Sequence, residues 1–163
     1  MLPEMFVYED LIAKKLNFNK KKDVELYLTI LNNVAEEEKR FGSKISKEWR
    51  VFYSVGVSMR WQHTGSDFFL GSYKICKMNK TVGVICLHKF SKGIIINAAE
   101  TSFPFSENFF KLYELGAKLL QHAGFSKIFC YIIKDHPVAN KLPVKLVSEF
   151  VPPFDIVKLY RWT

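Results

Sequence analysis

The sequence predicts an α/β (α+β) fold: a single domain with a mixed sheet, in which an antiparallel meander is followed by a β-α-β crossover. Three observations carry this. Residues 48–100 alternate apolar with other side chains and are cut by short turn segments. The period then turns helical near Ser106, where Phe109, Leu112, Tyr113, Gly116, Leu119, Leu120 and Ala123 share one face. A near-continuous apolar run at 126–133 follows, as in a strand covered on both faces.

Taken in order, residues 6–18 read as a short strand and then a short helix or loop. Lys20, Lys21 and Lys22 make a solvated break. Asp23 is placed as the N-cap of a helix whose apolar face is Val24, Tyr27, Leu28, Leu31, Val34 and Ala35. Gly42 closes it in the left-handed position after Phe41. Glu36, Glu37, Glu38, Lys39 and Arg40 read as a solvated last turn.

Residues 48–61, rich in Val, Tyr, Phe and Trp, read as a strand, followed by a turn at 63–67. Residues 68–77, 81–90 and 93–100 read as three more strands, with turns at 78–80 and 91–93. The segments 81–90 and 93–100 are expected to be adjacent and antiparallel. Gly124 ends the helix that starts after Ser106, and that helix is a crossover to strand 126–133. A short helix over 138–150, interrupted by Pro143, and a last strand over 155–162 complete the chain.

Composition bounds the rest. The 163 residues fit one domain, 1–163. Fifteen Phe, seven Tyr and three Trp supply a large core, which excludes extensive disorder. The net charge is +8 and uneven: residues 1–50 carry +1, with 10 basic and 9 acidic side chains, and residues 51–163 carry +7, with 14 and 7. Such a basic surface suits phosphate groups as well as simple solubility. Cys76, Cys86 and Cys130 form no CxxC pair, which argues against a disulfide framework or zinc ribbon and for a reducing setting. No metal site is expected. The longest apolar runs, 82–87 and 128–133, are too short to span a bilayer, and no classical secretory signal is visible, so no membrane association or secretion is expected.

The second half, residues 93–163, resembles the GCN5-related N-acetyltransferase (GNAT) superfamily. The likeness lies in the helix ending Leu119-Leu120-Gln121-His122-Ala123-Gly124-Phe125, the strand Ile128-Phe129-Cys130-Tyr131, the segment from His136 to Phe150 and the final strand. The resemblance implies a GNAT-like fold, acetyl-CoA as cofactor if the protein is active, and a cradle for its pyrophosphate between strand 93–100 and the next helix. There the family has an Arg/Gln-x-x-Gly-x-Gly/Ala loop, whose backbone N–H groups meet phosphate. This chain has Thr101-Ser102-Phe103-Pro104-Phe105-Ser106-Glu107-Asn108, without glycine, with Pro104 removing a donor and Glu107 adding a carboxylate. His136 stands where the family has Asn, Pro143 where it has the Tyr that protonates the thiolate, and Val147 where it has the closing Gly. The acyl-CoA site is therefore expected to be degenerate.

On that basis Glu100 and His136 are the candidate catalytic residues, each weighed against a structural role as a strand-end carboxylate or a helix cap. Ser102, Ser106 and Asn108 are the candidate cofactor contacts. His63, His88 and Cys130 read as structural, and Tyr131 as core or cleft. The favoured function is an acetyltransferase-like domain serving as a structural or protein-binding module. The resemblance extends to acetyltransferase-like virion or assembly components of some tailed bacteriophages, which implies a cytoplasmic or virion-associated place. Protein partners or self-assembly are expected, with Trp49, Trp61 and Trp162 as anchors. The alternatives are an active acyl-CoA N-acyltransferase with a divergent loop, and a nucleic-acid-binding protein using Lys74, Lys77, Lys80, Lys89 and Lys92.

Overall fold

The structure, a computed structural model, describes residues 2–64 and 69–163, with side chains 59–68 outside the description. One eight-stranded sheet runs through the molecule. Strands β1 (Met5–Tyr8) and β2 (Leu11–Lys15) form a hairpin. Helices α1 (Lys21–Arg40) and α2 (Lys47–Thr64) follow. Strands β3 (Phe69–Lys77), β4 (Lys80–Phe90) and β5 (Gly93–Glu100) make the meander. Helix α3 (Phe110–His122) crosses over to β6 (Ile128–Ile133), and a 3-10 turn at Pro137–Lys141 leads into β7 (Val144–Ser148) and β8 (Val157–Trp162). The sheet order is β1-β2-β3-β4-β5-β6-β8-β7.

The expected adjacency of the two strands after Thr81 holds: β4 and β5 pair antiparallel from Gly83↔Glu100 to Phe90↔Gly93. The crossover strand β6 lies parallel to β5, as its helical connection requires. Only three residue pairs join them, Ile94↔Ile128, Ile95↔Phe129 and Ile96↔Cys130. Beyond Ile96 and Cys130 the two strands are no longer paired, and the central sheet opens into a wedge. Alternation sorts the strands' side chains. Ile85, Ile96 and Gly116 pack together on the α3 face, while Val84, Cys86, His88, Asn97 and Tyr131 look toward α1 and α2.

Several expectations are corrected. Residues 48–61 are helical rather than extended. Ser46 starts α2 by accepting the Trp49 N–H at 3.2 Å. Val51, Val55 and Ser58 recur at helical spacing, and α2 docks on α1 through Arg50–Glu38 and Tyr27–Ser58. Tertiary packing has overridden the strand preference of Val, Tyr and Trp. The meander therefore has three strands, and the hairpin β1–β2 extends it; the helix or loop expected before Phe18 is β2, with Leu11 and Ala13 buried. Helix α2 runs through His63 and Thr64, and the rest of the turn expected there, 65–67, lies outside the described residues, as does the Trp61 side chain.

Helix α1 starts at Lys21, not after Asp23, whose carboxylate instead accepts the Asn17 N–H at 2.8 Å. Its end is as expected: Gly42 has φ +102°, with Ser43 N–H donating to the Glu38 carbonyl and Gly42 N–H to that of Lys39. The last turn is solvated only in part: Lys39 and Arg40 are exposed, but Glu37 is 0% and Glu38 4% exposed. Helix α3 begins at Phe110, because Ser106 is held by another partner described below. Residues 138–150 form a 3-10 turn and β7, not a helix; Val144 and Val147 favour the strand that Pro143 opens.

Trp162 packs against the core and Trp49 stacks on Tyr53 at 5.1 Å while remaining 40% exposed. The five lysines do not form one patch. Lys77 and Lys80 flank one hairpin and Lys89 and Lys92 the opposite one, about 30 Å apart by strand rise. Lys77 is also paired to Asp10 at 3.2 Å.

Candidate functional site

The site expected from sequence lies where β5 ends and α3 begins. Glu100, the last residue of β5, is buried and does not face solvent. The loop after it folds back onto its carboxylate. Ser102 Oγ donates to Oε2 at 2.8 Å, Ser106 N–H to Oε2 at 2.8 Å, and Ser106 Oγ to Oε1 at 2.7 Å. The next loop amide, Phe105 N–H, donates to Glu37 Oε2 at 3.0 Å. Asn108 is exposed, and its backbone N–H donates to Ser106 Oγ at 3.2 Å. Thus the loop that would present N–H groups to a phosphate gives two of them to carboxylates of its own chain.

His136 joins the same network from the far end of β6. Its Nδ1 accepts the Val138 N–H at 3.1 Å, which caps the 3-10 turn. The proton therefore sits on Nε2, which donates to Glu37 Oε2 at 3.1 Å. Burial holds the imidazole below its usual pKa, and Glu37 opposes that only in part. Glu37 Oε1 takes a further bond from Arg40 Nε at 2.7 Å. Around these groups Phe105, Phe109 and Tyr113 meet in tilted and edge-on contacts at 4.5 and 5.2 Å, and Phe41 lies 4.8 Å from the His136 ring. Tyr113 donates its hydroxyl to the Tyr131 carbonyl at 2.8 Å, satisfying a β6 group beyond the last pair with β5. The wedge on the α3 side is therefore occupied by side chains of the protein itself. The sequence assigns Glu100 a catalytic role and Ser102 and Ser106 a cofactor role, whereas the structure joins the three by hydrogen bonds, and Glu37 is not foreseen. A run of three acids at a helix end looks solvated unless its tertiary partners are known.

The other face of the wedge is open. A cavity of about 390 Å³ lies between α1, α2, the sheet and the 152–154 loop. Tyr27, Val57, Phe69, Pro152 and Phe154 give it apolar walls. Its polar groups include Cys86 and His88 of β4, Asn97 of β5, Tyr131 of β6, and Arg50 and Tyr53 of α2. Neither Glu100 nor His136 lines it. Burial keeps His88 neutral by lowering its pKa to about 4 and pushes the Cys86 thiol up, so neither is charged near neutral pH. Burial, with the nearby Tyr53, also raises Tyr131. Arg50 is bound to Glu38 at 2.6 Å, donates to Ser54, and lies 4.3 Å over the Phe154 ring. The sequence signal for this cavity was the polar residue every second position in apolar strands, Cys86 and His88 above all. Among the described residues no group of three or more His, Cys, Asp or Glu could hold a metal, and no helix is long and apolar enough to cross a membrane.

No family model and no curated protein sequence matches the chain. Solved structures do. An acetyltransferase from Agrobacterium tumefaciens superposes with a TM-score of 0.64 at 12% identity, covering 100% of this chain and 95% of that one. A RimL ribosomal-protein alpha-N-acetyltransferase in complex with coenzyme A gives 0.61 at 15% identity, with 97% of each chain covered. A GNAT-family acetyltransferase from Bacillus anthracis gives 0.59 at 14% identity, covering 96% and 95%. At these identities the likeness concerns architecture, and with the wedge between β5 and β6 it gives the chain the fold of the GCN5-related N-acetyltransferases.

Proposed function

We propose that this chain is an acetyltransferase-fold domain whose acyl-CoA cradle is closed, and that it works by binding rather than by acyl transfer. One observation carries the reading: the Ser106 N–H and hydroxyl, together with the Ser102 hydroxyl, are already spent on the Glu100 carboxylate. A pyrophosphate brought to this loop would meet a buried carboxylate and its repulsion instead of free donors. The loop also lacks glycine, so its backbone cannot approach a phosphate closely. Exposed apolar side chains such as Phe52 (78% exposed), Leu146 and Phe150 suit a protein-binding or assembly component, the role implied by acetyltransferase-like virion proteins.

The test is calorimetric titration of the whole protein with acetyl-CoA. No saturable heat is expected in the micromolar range. A dissociation constant in the low micromolar range overturns the reading in favour of an N-acyltransferase with a divergent loop. In that case Glu100→Gln should slow transfer by about 10²–10⁴-fold, the usual weight of a general base.

A further inference from the structure

We propose that the free edge of β1 is a docking site for an extended segment of a partner protein, in which acidic side chains alternate with apolar ones and which adds to the sheet as one more strand. The inference rests on the reading that the chain works by binding a protein, and it names the surface used and the chemistry of the partner.

Three features carry it. First, β1 is the outermost strand and its outer main chain is unsatisfied. Lys15 N–H donates to the Glu4 carbonyl at 2.9 Å, so alternation turns the N–H and C=O of Phe6 and Tyr8 toward β2 and those of Met5 and Val7 away from it. Among the described residues nothing bonds these outward groups, and the Met5 and Val7 side chains are 58% and 60% exposed. Second, the strand Met5-Phe6-Val7-Tyr8 lacks the devices that keep edges from pairing. It carries no charge and no proline, and its register to β2 runs without a bulge. The opposite edge, β7, has all three: Pro143 before it, Lys145 within it, and a register shift between Leu146 and Ser148. Third, the two faces beside β1 differ in charge. Alternation puts Met5, Val7, Ile12, Lys14 and Lys74 on one face. Lys14 and Lys74 stand directly opposite each other, a repulsive arrangement that an anion relieves, and among the described residues neither has an ion-pair partner. The other face holds the half-buried Phe6 and Tyr8, and there the Tyr8 hydroxyl donates to Glu114 Oε2 at 3.1 Å. Acidic side chains suit the first face and apolar ones the second, which is the alternation of a single strand. A second copy of this chain, with its net charge of +8 and the same lysines, is repelled where an acidic segment is attracted.

Three end-blocked heptapeptides, alternating valine with glutamate, glutamine or lysine, are suitable probes. They are titrated separately into the whole protein and followed by calorimetry and by amide hydrogen exchange. The glutamate peptide should bind saturably and slow exchange at the Met5 and Val7 amides by at least about tenfold. The glutamine and lysine peptides should each bind at least about tenfold more weakly. Val7→Pro removes an outward N–H at an edge position that tolerates proline, and it should abolish binding. The double variant Lys14→Glu with Lys74→Glu should reverse the order in favour of the lysine peptide. Lys145→Glu, on the opposite edge, should leave binding of the glutamate peptide unchanged. Circular dichroism on each variant checks folding; if Val7→Pro fails to fold, the protection of the Met5 and Val7 amides in the wild-type protein and the charge-reversed variant decide. Four results overturn the inference: no saturable binding of the glutamate peptide, equal or tighter binding of either other peptide, binding undiminished in folded Val7→Pro, or self-association that Val7→Pro removes, which would make a second copy the occupant. Acetyl-CoA binding alone overturns only the proposed function, and failure of the glutamate peptide alone overturns only the β1 edge as the docking surface.

Discussion

Glu37 and His136, 99 positions apart in the chain, meet through a 3.1 Å hydrogen bond that ties the end of α1 to the end of β6. The same carboxylate holds Arg40 and the backbone of the loop before α3. One fully buried side chain thus ties together α1, the end of β6 and the loop before α3.

Glu37→Leu should accordingly be among the most destabilising substitutions in the protein. It leaves the Phe105 N–H, the His136 Nε2–H and the Arg40 guanidinium without their acceptor. Loss of about 3–5 kcal/mol in urea unfolding is expected, the range for breaking a buried network from one side. Glu37→Gln keeps an acceptor oxygen and the volume and should cost less than Glu37→Leu. An equal cost for both would mean that packing, not hydrogen bonding, is what Glu37 supplies.

Stability should also fall on acidification through the His88 window. The folded pKa of about 4 lies below the ordinary 6.5, so the unfolded chain takes up the proton first as the pH drops. The stability is fully present above pH 6.5, declines between 6.5 and 4, and is level below. The shift corresponds to about 3 kcal/mol at most. His136 acts in the same direction, while Glu38, whose pKa burial raises above its ordinary 4.5, acts in the opposite one from 4.5 upward, within the same window. The clean measurement is therefore a difference: the stability gap between wild type and His88→Gln should shrink by up to about 3 kcal/mol from pH 7 to pH 4. A gap independent of pH would show that His88 does not titrate as described.

How much of this was readable in advance follows from which residues act locally. The helix end at Gly42, the crossover and the β4–β5 pairing depend on turn chemistry and on period, and they were legible. The strand expected over 48–61 was not, because its Val and aromatic residues satisfy both a two-residue and a helical spacing. Only docking on α1, through Glu38 and Tyr27, decides between them. The site shows the same division. Glu100 and Ser106 are six residues apart and were both singled out from sequence, though for separate roles, whereas Glu37 reaches the site from 68 residues before Phe105. Asn97 and Tyr131 come together only through the β5–β6 wedge, which no local pattern encodes.

Gly93→Ala should disrupt the start of that wedge. A Cβ there would lie 2.2 Å from the Lys127 carbonyl oxygen, the acceptor of the Ile94 N–H. The obstacle is backbone at the first parallel pair, which cannot move aside as a flexible side chain would. A cost at the upper end of overpacking, about 3 kcal/mol, is expected in thermal or urea unfolding. A neutral result would mean that β5 and β6 approach less closely than described.

The Arg50–Glu38 pair makes the last prediction, because it separates charge from packing in the wall of the cavity. The two side chains are nearly buried and joined at 2.6 Å, and Arg50 also covers the Phe154 ring. Removing one partner strands the other. Glu38→Leu leaves a buried guanidinium, and Arg50→Met leaves a carboxylate whose pKa burial already raises. Each single substitution should cost about 3 kcal/mol or more. The double variant Glu38→Leu with Arg50→Met removes both charges together, so its cost should be well below the sum of the two, with a coupling of about 1–3 kcal/mol. Urea unfolding of the four proteins at pH 7 measures it. Additive costs would mean that the pair is screened by water and that the cavity wall is not held by it. Coupling would place the pair's worth in mutual neutralisation of the two charges at the cavity wall.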